Sequence, residues 1–247
     1  MQVADLDLAG SQESEEAAGV AHRASVAYGI AKRILDVVIS LTALLCIWPL
    51  FLYIAIRVKR DSKGPVFHKR VVVASGLPWL RNGAAGRGRS TDARLLADPP
   101  TFNALKFRSM IADADEYLES RPELKREFER HYKLSEDPRI TPFGRWMREC
   151  SLDEVPQLIN VLLGQMSIVG PRVISPPELS RYKGYESRLL SVKSGLTGLW
   201  QVSGRQTVSY DERVRLDMHY IDNQSLLLDI SIIFRTFGTV LGKRGAL

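Results

Sequence analysis

Val37–Ile56 is a run of twenty residues without a formal charge, and it constrains the fold more than any other feature of the chain. A helix of about 20 apolar residues can cross a bilayer core of about 30 Å. Basic residues flank both ends of the run, at Lys32-Arg33 and at Lys59-Arg60. A simple spanning helix is expected to be more basic on its cytoplasmic side only. The flanking charges therefore favour a segment whose two ends lie on the same side of a membrane.

Pro49 lies inside this run, directly after Trp48. Proline removes a backbone hydrogen bond and bends or breaks a helix. A re-entrant segment that breaks at Trp48-Pro49 and leaves on the face by which it entered accounts for both the proline and the two basic flanks. A single kinked spanning helix and a buried helix of a soluble domain remain open at this point.

Average composition excludes several classes of protein. The 247 residues are 45% hydrophobic, and their mean hydropathy is −0.09. These values argue against a collagen-like, wholly disordered or polytopic membrane protein. Two cysteines are too few for a disulfide scaffold, and the four histidines show no zinc-binding spacing.

Charge is unevenly distributed along the chain. Residues 1–30 hold five acidic side chains and one arginine, a net charge of −4, which leaves +10 for the remainder of a chain whose total is +6. We interpret residues 1–30 as an acidic mobile tail. A basic body suits nucleic acid, anionic lipid or phosphorylated substrates, and charge alone does not choose among them.

Residues 31–60 are predicted to be the re-entrant membrane helix, and residues 61–247 to form a folded domain outside the membrane. This domain is expected to be mainly α-helical with a small β element. Short strands are predicted around Val71–Val73 and over 103–110, helices over 111–133 (interrupted near Pro122) and 209–221, and an interfacial or core helix over 226–241. Residues 75–101 are rich in Gly, Arg and Pro and are predicted to form a flexible basic loop.

Gly83–Ser90, within that loop, nearly matches a phosphate-binding P-loop. Arg89 stands where the motif requires lysine, and no strand leads into the segment. A solvated basic linker is therefore the favoured interpretation, and a P-loop nucleotide hydrolase is the minor one.

Asp153 and Glu154 are adjacent carboxylates and the sharpest candidates for chemistry. Ser151 and Glu154 have the spacing of a helix capping box, which would make the pair structural. Pro156 argues against a helix that begins at Ser151, because proline suits only the first turn of a helix. A helix that begins near Pro156 would place two ionised carboxylates at its start, where one could attack a substrate or hold a divalent cation.

Several basic side chains lie in or beside turns and short strands. Arginine in such places suits bidentate binding of phosphate. With two carboxylates and a membrane segment, these residues suggest phosphoryl chemistry at a bilayer surface, with Mg²⁺ held by carboxylate and phosphate oxygens. The residues are Lys106, Arg108, Arg148, Arg172 and Arg205.

Several ordered sequence blocks resemble the bacterial sugar transferase family, the monotopic polyprenyl-phosphate phosphoglycosyl transferases. The strongest are Ser151–Gln157 and Met166–Arg172, supported by Lys106–Met110, Gly195–Gly198 and Gln201–Arg205. The resemblance covers about residues 31–70 and 102–247. Three features depart from the family pattern: Trp48 precedes Pro49 where Ser is common, Val173 follows Arg172 where Pro is usual, and residues 71–101 are longer than the family's usual short hairpin.

The resemblance implies a reaction and a set of roles. Sugar-1-phosphate from a nucleotide-diphosphate sugar, with UDP-glucose or UDP-galactose as leading candidates, would pass to undecaprenyl phosphate and start a surface glycan. Asp153 would be the nucleophile that carries the phosphosugar, and Glu154 its partner as base or metal-site residue, with Mg²⁺ as cofactor. The expected substrate-binding residues are Lys106, Arg108, Arg148, Gln157, Arg172, Gln201 and Arg205.

The resemblance also implies a location and a size class. The chain would be monotopic, on the cytoplasmic face of the bacterial inner membrane, with a re-entrant helix, interfacial amphipathic helices and bound membrane lipid. Larger family members carry a further N-terminal membrane region, so this chain is expected to be of the minimal catalytic type. No nucleic-acid partner is expected, and a homodimer stays open. The alternative is a membrane-tethered basic scaffold that binds anionic lipid or nucleic acid.

Overall fold

The computed structural model of the protein describes residues 3–76, 96–131, 134, 136–204 and 208–241. Side chains are described in these ranges apart from those of residues 3–25, 129–131, 240 and 241. The described part is mostly helical and contains two small two-stranded sheets. The prediction of a mainly α-helical protein with a small β element is therefore confirmed.

The helices and strands follow one another without an internal repeat. In chain order they are α1 (Val3–Asp61), β1 (Phe67–Val73), β2 (Thr101–Phe107), α2 (Ala114–Glu119), α3 (Pro122–His131), α4 (Pro142–Glu149), α5 (Gln157–Leu162), β3 (Ser167–Val169), α6 (Glu186–Leu190), β4 (Gly195–Thr197), α7 (Leu199–Val202), α8 (Tyr210–Asp222) and α9 (Leu226–Leu241). Two 3-10 segments, Leu152–Glu154 and Pro176–Tyr182, complete the list.

Helix α1 contains the apolar run and is long and apolar enough between Val26 and Asp61 to cross a membrane, by length and composition. The helical backbone continues through Trp48 and Pro49, so the predicted break is not a stretch of non-helical backbone. A helix can bend at a proline and keep its hydrogen bonds on either side. The segment predicted as a mobile tail is also helical from Val3, consistent with its many Ala and Glu residues, which favour helix.

One face of α1 packs against the rest of the protein along the whole apolar run. Its inward side chains recur every three to four residues, from Asp36 and Ser40 through Ile47 to Ile54 and Val58. The opposite face exposes a matching row of large apolar side chains, which includes Ile34, Leu41, Leu45, Trp48 and Leu52. The helix is therefore amphipathic in its packing although its sequence is apolar all round.

The two sheets pair segments that are distant in the sequence in fixed register. Strands β1 and β2 are antiparallel and pair Phe67 with Phe107 and Val73 with Thr101. Strands β3 and β4 are parallel and pair Ser167 with Gly195. The β3–β4 contact is close, because a Cβ on Gly195 would lie 2.1 Å from the nitrogen of Gly170.

The core has three apolar clusters that together surround these sheets. The largest joins α1, α5, β3, α8 and α9, and it includes Val161, Met166 and Ile232. A second lies between Pro176–Tyr182, α6 and α8, and a third packs the end of α1 on β2 and α4. The first half of the apolar run and the end of α1 thus both contact the same folded body.

Most sequence-based elements are found near their predicted positions. The interruption at Pro122 separates α2 from α3, and the helices predicted over 209–221 and 226–241 are α8 and α9. The predicted strand over 103–110 begins two residues earlier and ends at Phe107. Most of the predicted loop 75–101, including Gly83–Ser90, lies outside the described residues.

Candidate active site

Asp153 and Glu154 lie on the 3-10 turn Leu152–Glu154, directly before α5. Ser151, which precedes the turn, has a left-handed backbone with φ of 56°, and its side chain makes no capping hydrogen bond. A non-glycine residue in this conformation stores about 1–3 kcal/mol of strain and is typical of functional sites. The capping-box interpretation of Ser151 and Glu154 is therefore wrong, and Pro156 stands at the start of α5 as predicted.

Lys106, near the end of β2, reaches both carboxylates. Its Nζ lies 2.6 Å from Glu154 Oε1 and 4.0 Å from Asp153 Oδ2. Asp153 is only 8% exposed, and Glu154 is half-buried. Lys106 therefore forms a close ion pair with Glu154 and only a distant one with Asp153.

The two carboxyl groups differ in their pKa values. Burial raises the pKa of Asp153, and the neighbouring Glu154 adds to this effect, while Lys106 and Arg148 oppose it. Burial also opposes ionisation of Glu154, but the charges of Lys106 and Arg172 hold the pKa of Glu154 at about 2. Glu154 is thus the more acidic carboxyl group of the pair, and Asp153 is the more basic one.

Arg148 borders the pair from α4. Its Nε donates to Ser109 Oγ at 2.8 Å, and burial lowers the pKa of its guanidinium while Asp153 counteracts this effect. Helix α4 can approach Ser109 because of Gly144, where a Cβ would lie 2.0 Å from the Ser109 carbonyl oxygen. The glycine therefore sets the position of Arg148.

Arg172 lies in the loop after β3, and its positive charge acts on Glu154. Its guanidinium carbon lies 5.4 Å from the ring centroid of Trp200. Two glutamines that were predicted to bind substrate lie on α5 and α7. Gln157 is buried with its Nε2 unpartnered among the described residues, and Gln201 is half-buried with its Oε1 in the same condition.

Arg108 is not part of this constellation. Strand β2 ends at Phe107, so the alternation that would keep Arg108 beside Lys106 ends there too. Its guanidinium instead donates to the carbonyls of Ser62 and Lys63, both at 2.7 Å, and to that of Val58 at 3.4 Å. The side chain caps the end of α1, so its predicted contact with substrate finds no support in the geometry. Arg205 lies outside the described residues.

Three residues at the site were missed by the sequence analysis: Arg70, Arg213 and Trp200. Arg70 shares a face of the β1–β2 hairpin with Lys106, because Arg70 pairs with Ala104 and His68 pairs with Lys106. The hairpin register would have revealed Arg70, but the long connection between the strands obscured that register. Arg213 could have been found from its place on the buried stripe of α8, where Val214 and Met218 also lie.

The donor set suits Mg²⁺, although no larger acidic cluster supports it. Among the described residues, no group of three or more His, Cys, Asp or Glu side chains could hold a metal. Mg²⁺ needs only one or two carboxylates when substrate phosphates and water supply its other ligands. Asp153 and Glu154 meet that requirement.

The chain is similar in sequence to several known proteins. The family model for the bacterial sugar transferase matches residues 27–77 and 90–243. The exopolysaccharide production protein ExoY of Sinorhizobium fredii is 40% identical over 224 residues, which cover 88% of each chain.

Two longer relatives carry names that specify a reaction. The undecaprenyl-phosphate galactose phosphotransferase of Salmonella typhimurium is 41% identical over 87% of this chain and 41% of its own length. The UDP-glucose:undecaprenyl-phosphate glucose-1-phosphate transferase of Xanthomonas campestris is 35% identical over 88% of this chain and 40% of its own. The chain thus spans about two fifths of these relatives, and almost nine tenths of ExoY. Since the family model covers most of the chain and ExoY matches it nearly end to end, the chain belongs to the bacterial sugar transferase family.

Proposed function

We propose that the protein transfers sugar-1-phosphate from a nucleotide-diphosphate sugar to undecaprenyl phosphate through a covalent intermediate on Asp153. The carrying observation is a buried carboxylate, Asp153, beside a Glu154 that is tied to Lys106. A carboxylate nucleophile divides a transfer between a soluble and a lipid substrate into two simpler steps. The family membership and the names of the relatives support the same reaction.

In the first step an Asp153 carboxylate oxygen attacks the phosphorus that bears the sugar. The bond from this phosphorus to the bridging oxygen breaks, and the electron pair leaves on the nucleoside monophosphate. In the second step a phosphate oxygen of undecaprenyl phosphate attacks the same phosphorus, and the Asp153 carboxylate is released. Neither step needs a net proton transfer to Asp153, so a carboxyl that is ionised at the start is ionised at the end.

The surrounding cations neutralise charge on the transferring group. Lys106, Arg148 and Arg172 act on the carboxylates from β2, from α4 and from the loop after β3. Fixed cations in a site that excludes water are worth more than the same cations in water. Mg²⁺ held by Asp153, Glu154 and the diphosphate would neutralise further negative charge.

We also propose that the protein is monotopic and that α1 is re-entrant. A helix that spans the bilayer would separate its two flanks by the membrane. Arg33 donates to the carbonyls of Val161 and Leu162, at 2.6 and 2.7 Å, whereas Ile54 and Val58 at the other end pack on Phe107 and Met147. One folded body thus contacts both flanks, which favours a course within one leaflet. Localisation at the cytoplasmic face of the inner membrane follows from the donor, a cytoplasmic metabolite.

Helix α9 is proposed to lie in the membrane interface. Its buried face carries Asp229 and Ile232, and its outer face exposes Leu227, Phe234 and Phe237. An exposed apolar stripe on a helix whose other face is packed is typical of interfacial helices.

The donor is proposed to be a UDP-hexose, because relatives carry galactose or glucose in their names. The product would start an exopolysaccharide, as the ExoY relatives suggest, or another surface glycan such as lipopolysaccharide.

A donor assay tests the reaction. Purified protein in nanodiscs with undecaprenyl phosphate, Mg²⁺ and radiolabelled UDP-glucose or UDP-galactose is expected to release UMP and to label the lipid. Asp153→Asn is expected to abolish both signals, and Asp115→Asn, an exposed carboxylate on α2, serves as the control. The basic-scaffold alternative predicts no UMP and tolerance of Asp153→Asn.

Cysteine labelling tests the topology. In a background without Cys46 and Cys150, single cysteines at residues 31 and 60 are expected to react from the cytoplasmic side only. Labelling of the two positions from opposite sides of the membrane would establish a spanning helix instead.

A further inference from the structure

Two guanidinium groups lie against one indole ring. The guanidinium carbons of Arg172 and Arg213 lie 5.4 and 5.0 Å from the centroid of Trp200, which is 9% exposed. The three side chains come from the loop after β3, from α8 and from α7. Like charges repel, so an arrangement that brings two of them to one ring needs an opposite charge to be favourable.

Arg213 has hydrogen-bonding capacity that the protein does not use. Its Nε and Nη2 are buried and have no hydrogen-bond partner in the described part of the chain. Asp217, one turn further along α8, accepts a hydrogen bond from Tyr182 at 2.9 Å and acts on Arg213 through its charge, but it forms no hydrogen bond with either of these two nitrogens. Buried charged donors without partners are unfavourable, and they are expected to be satisfied by a ligand.

This guanidinium pair adjoins the reacting centre. The charge of Arg172 is one of the causes of the low pKa of Glu154, and the charges of Arg172 and Arg213 both lower the pKa of Arg70. Arg70 is itself held by Glu178 at 3.0 Å. Lys106 and Arg70 share one face of the β1–β2 sheet, and the charges of Arg172 and Arg213 act on Arg70, so these four basic side chains form one positively charged region.

A leaving group in the proposed reaction requires such a positively charged region. The phosphate next to the nucleoside carries one negative charge in the intact donor. When the bond from the bridging oxygen to the sugar-bearing phosphorus breaks, the electron pair stays on that oxygen and the departing monophosphate carries two. A bidentate guanidinium fork with free N–H groups matches a phosphate that gains charge in the transition state.

We infer that Arg213, positioned by Trp200 and working with Arg172, binds the phosphate of the departing nucleoside monophosphate. This inference rests on the proposed transfer reaction. It assigns Arg213 to the nucleotide half of the donor and gives the undecaprenyl phosphate no contact with it.

The test compares Arg213→Gln, Arg213→Lys and Arg215→Gln in the UMP-release assay. Arg215 lies two residues along the same helix, is exposed and pairs with Glu212, so it is a matched control. Arg213→Gln is expected to lower kcat/KM for the UDP-sugar by about 100–1000-fold, as loss of a transition-state donor does elsewhere. Arg213→Lys keeps the charge but loses the fork, and it is expected to fall between Gln and wild type.

Inhibition by added UMP provides a readout that a structural role would not change. The inhibition constant is expected to rise at least tenfold in Arg213→Gln, with KM for undecaprenyl phosphate within twofold of wild type. Unchanged UMP inhibition in Arg213→Gln, or an equal change in Arg215→Gln, would overturn the inference. If Arg213→Gln does not fold, the same UMP comparison on Arg213→Lys decides, with an unchanged inhibition constant as the refuting result.

An incorrect transfer reaction and an incorrect role for Arg213 would give different results. If the transfer reaction itself is wrong, the wild-type protein releases no UMP from any UDP-sugar. If only the assignment of Arg213 is wrong, the wild type releases UMP and Arg213→Gln does so with the same UMP sensitivity.

Discussion

Asp229 on α9 pairs with α1 in the interior of the protein. Removal of its charge is expected to destabilise the fold strongly. Its side chain is fully buried and accepts hydrogen bonds from Tyr28, Lys32 and Tyr220, at 3.0, 2.9 and 2.7 Å. Asp229→Asn keeps the shape and one acceptor oxygen but leaves the ammonium of Lys32, which is 12% exposed, without its anion.

The magnitude follows from the geometry. At 2.9 Å and an effective dielectric constant of 20, the gross attraction between Lys32 and Asp229 is about 6 kcal/mol. Measured losses on removing one partner of a buried pair are about 3–5 kcal/mol. For a chain of this size each kcal/mol lowers Tm by about 2–4 °C, so the variant is expected to unfold about 6–20 °C below wild type.

A double-mutant cycle separates charge from shape. Urea and thermal unfolding in detergent would be measured for Asp229→Asn, Lys32→Met and the combination of both. The combination is expected to be more stable than the sum of the single losses predicts by about 2 kcal/mol or more, because no unpaired charge remains. Asp211→Asn removes an exposed partner of Lys183 and is expected to cost less than about 1 kcal/mol. Additive single losses, or a loss no larger than that of Asp211→Asn, would refute the reasoning.

Three further predictions concern packing, capping and pH. Gly144→Ala drives a methyl group into the Ser109 carbonyl, so unfolding by urea should show a loss of about 3 kcal/mol and UMP release should fall with the displaced α4. Arg108→Met removes donors to the carbonyls at the end of α1 and should destabilise by about 2–3 kcal/mol, with KM for the UDP-sugar unchanged if this arginine has no contact with the donor. Burial raises the pKa of Asp217 to about 7, so the folded protein keeps a proton there that the unfolded chain loses near its ordinary pKa of 3.8. Stability is therefore expected to decrease as pH rises from about 4 to 7, and Asp217→Asn should remove that part of the slope in urea titrations at stepped pH.

The amino-acid sequence predicted local features better than contacts between distant segments. The segment Ser151–Gln157 predicted two adjacent carboxylates followed by a helix that begins near Pro156, because proline restricts where a helix can begin. Lys106 lies within β2 and reaches the carboxylates, whereas Arg108, expected to bind substrate with it, lies elsewhere because the strand ends at Phe107. The orientation of a side chain one residue beyond a strand depends on tertiary contacts, here the open carbonyls at the end of α1.

The missed residues depend on contacts between distant parts of the chain. Arg213 and Trp200 approach one another only because α7 and α8 pack together, and no local pattern specifies that contact. At Pro49 a local pattern predicted a break that the backbone does not show. The proline disrupts one hydrogen bond, and the helical backbone continues through it because the neighbouring residues keep theirs.

Detection of a phosphosugar on Asp153 tests the central claim most directly. The protein would be incubated with UDP-sugar and Mg²⁺ but without undecaprenyl phosphate, quenched in acid, and analysed by intact-mass and peptide mass spectrometry. The account predicts a mass gain of one hexose phosphate on the peptide that contains Asp153, its loss on addition of undecaprenyl phosphate, and no gain in Asp153→Asn. UMP release that occurs only when both substrates are present, with no mass gain on the protein, would contradict it.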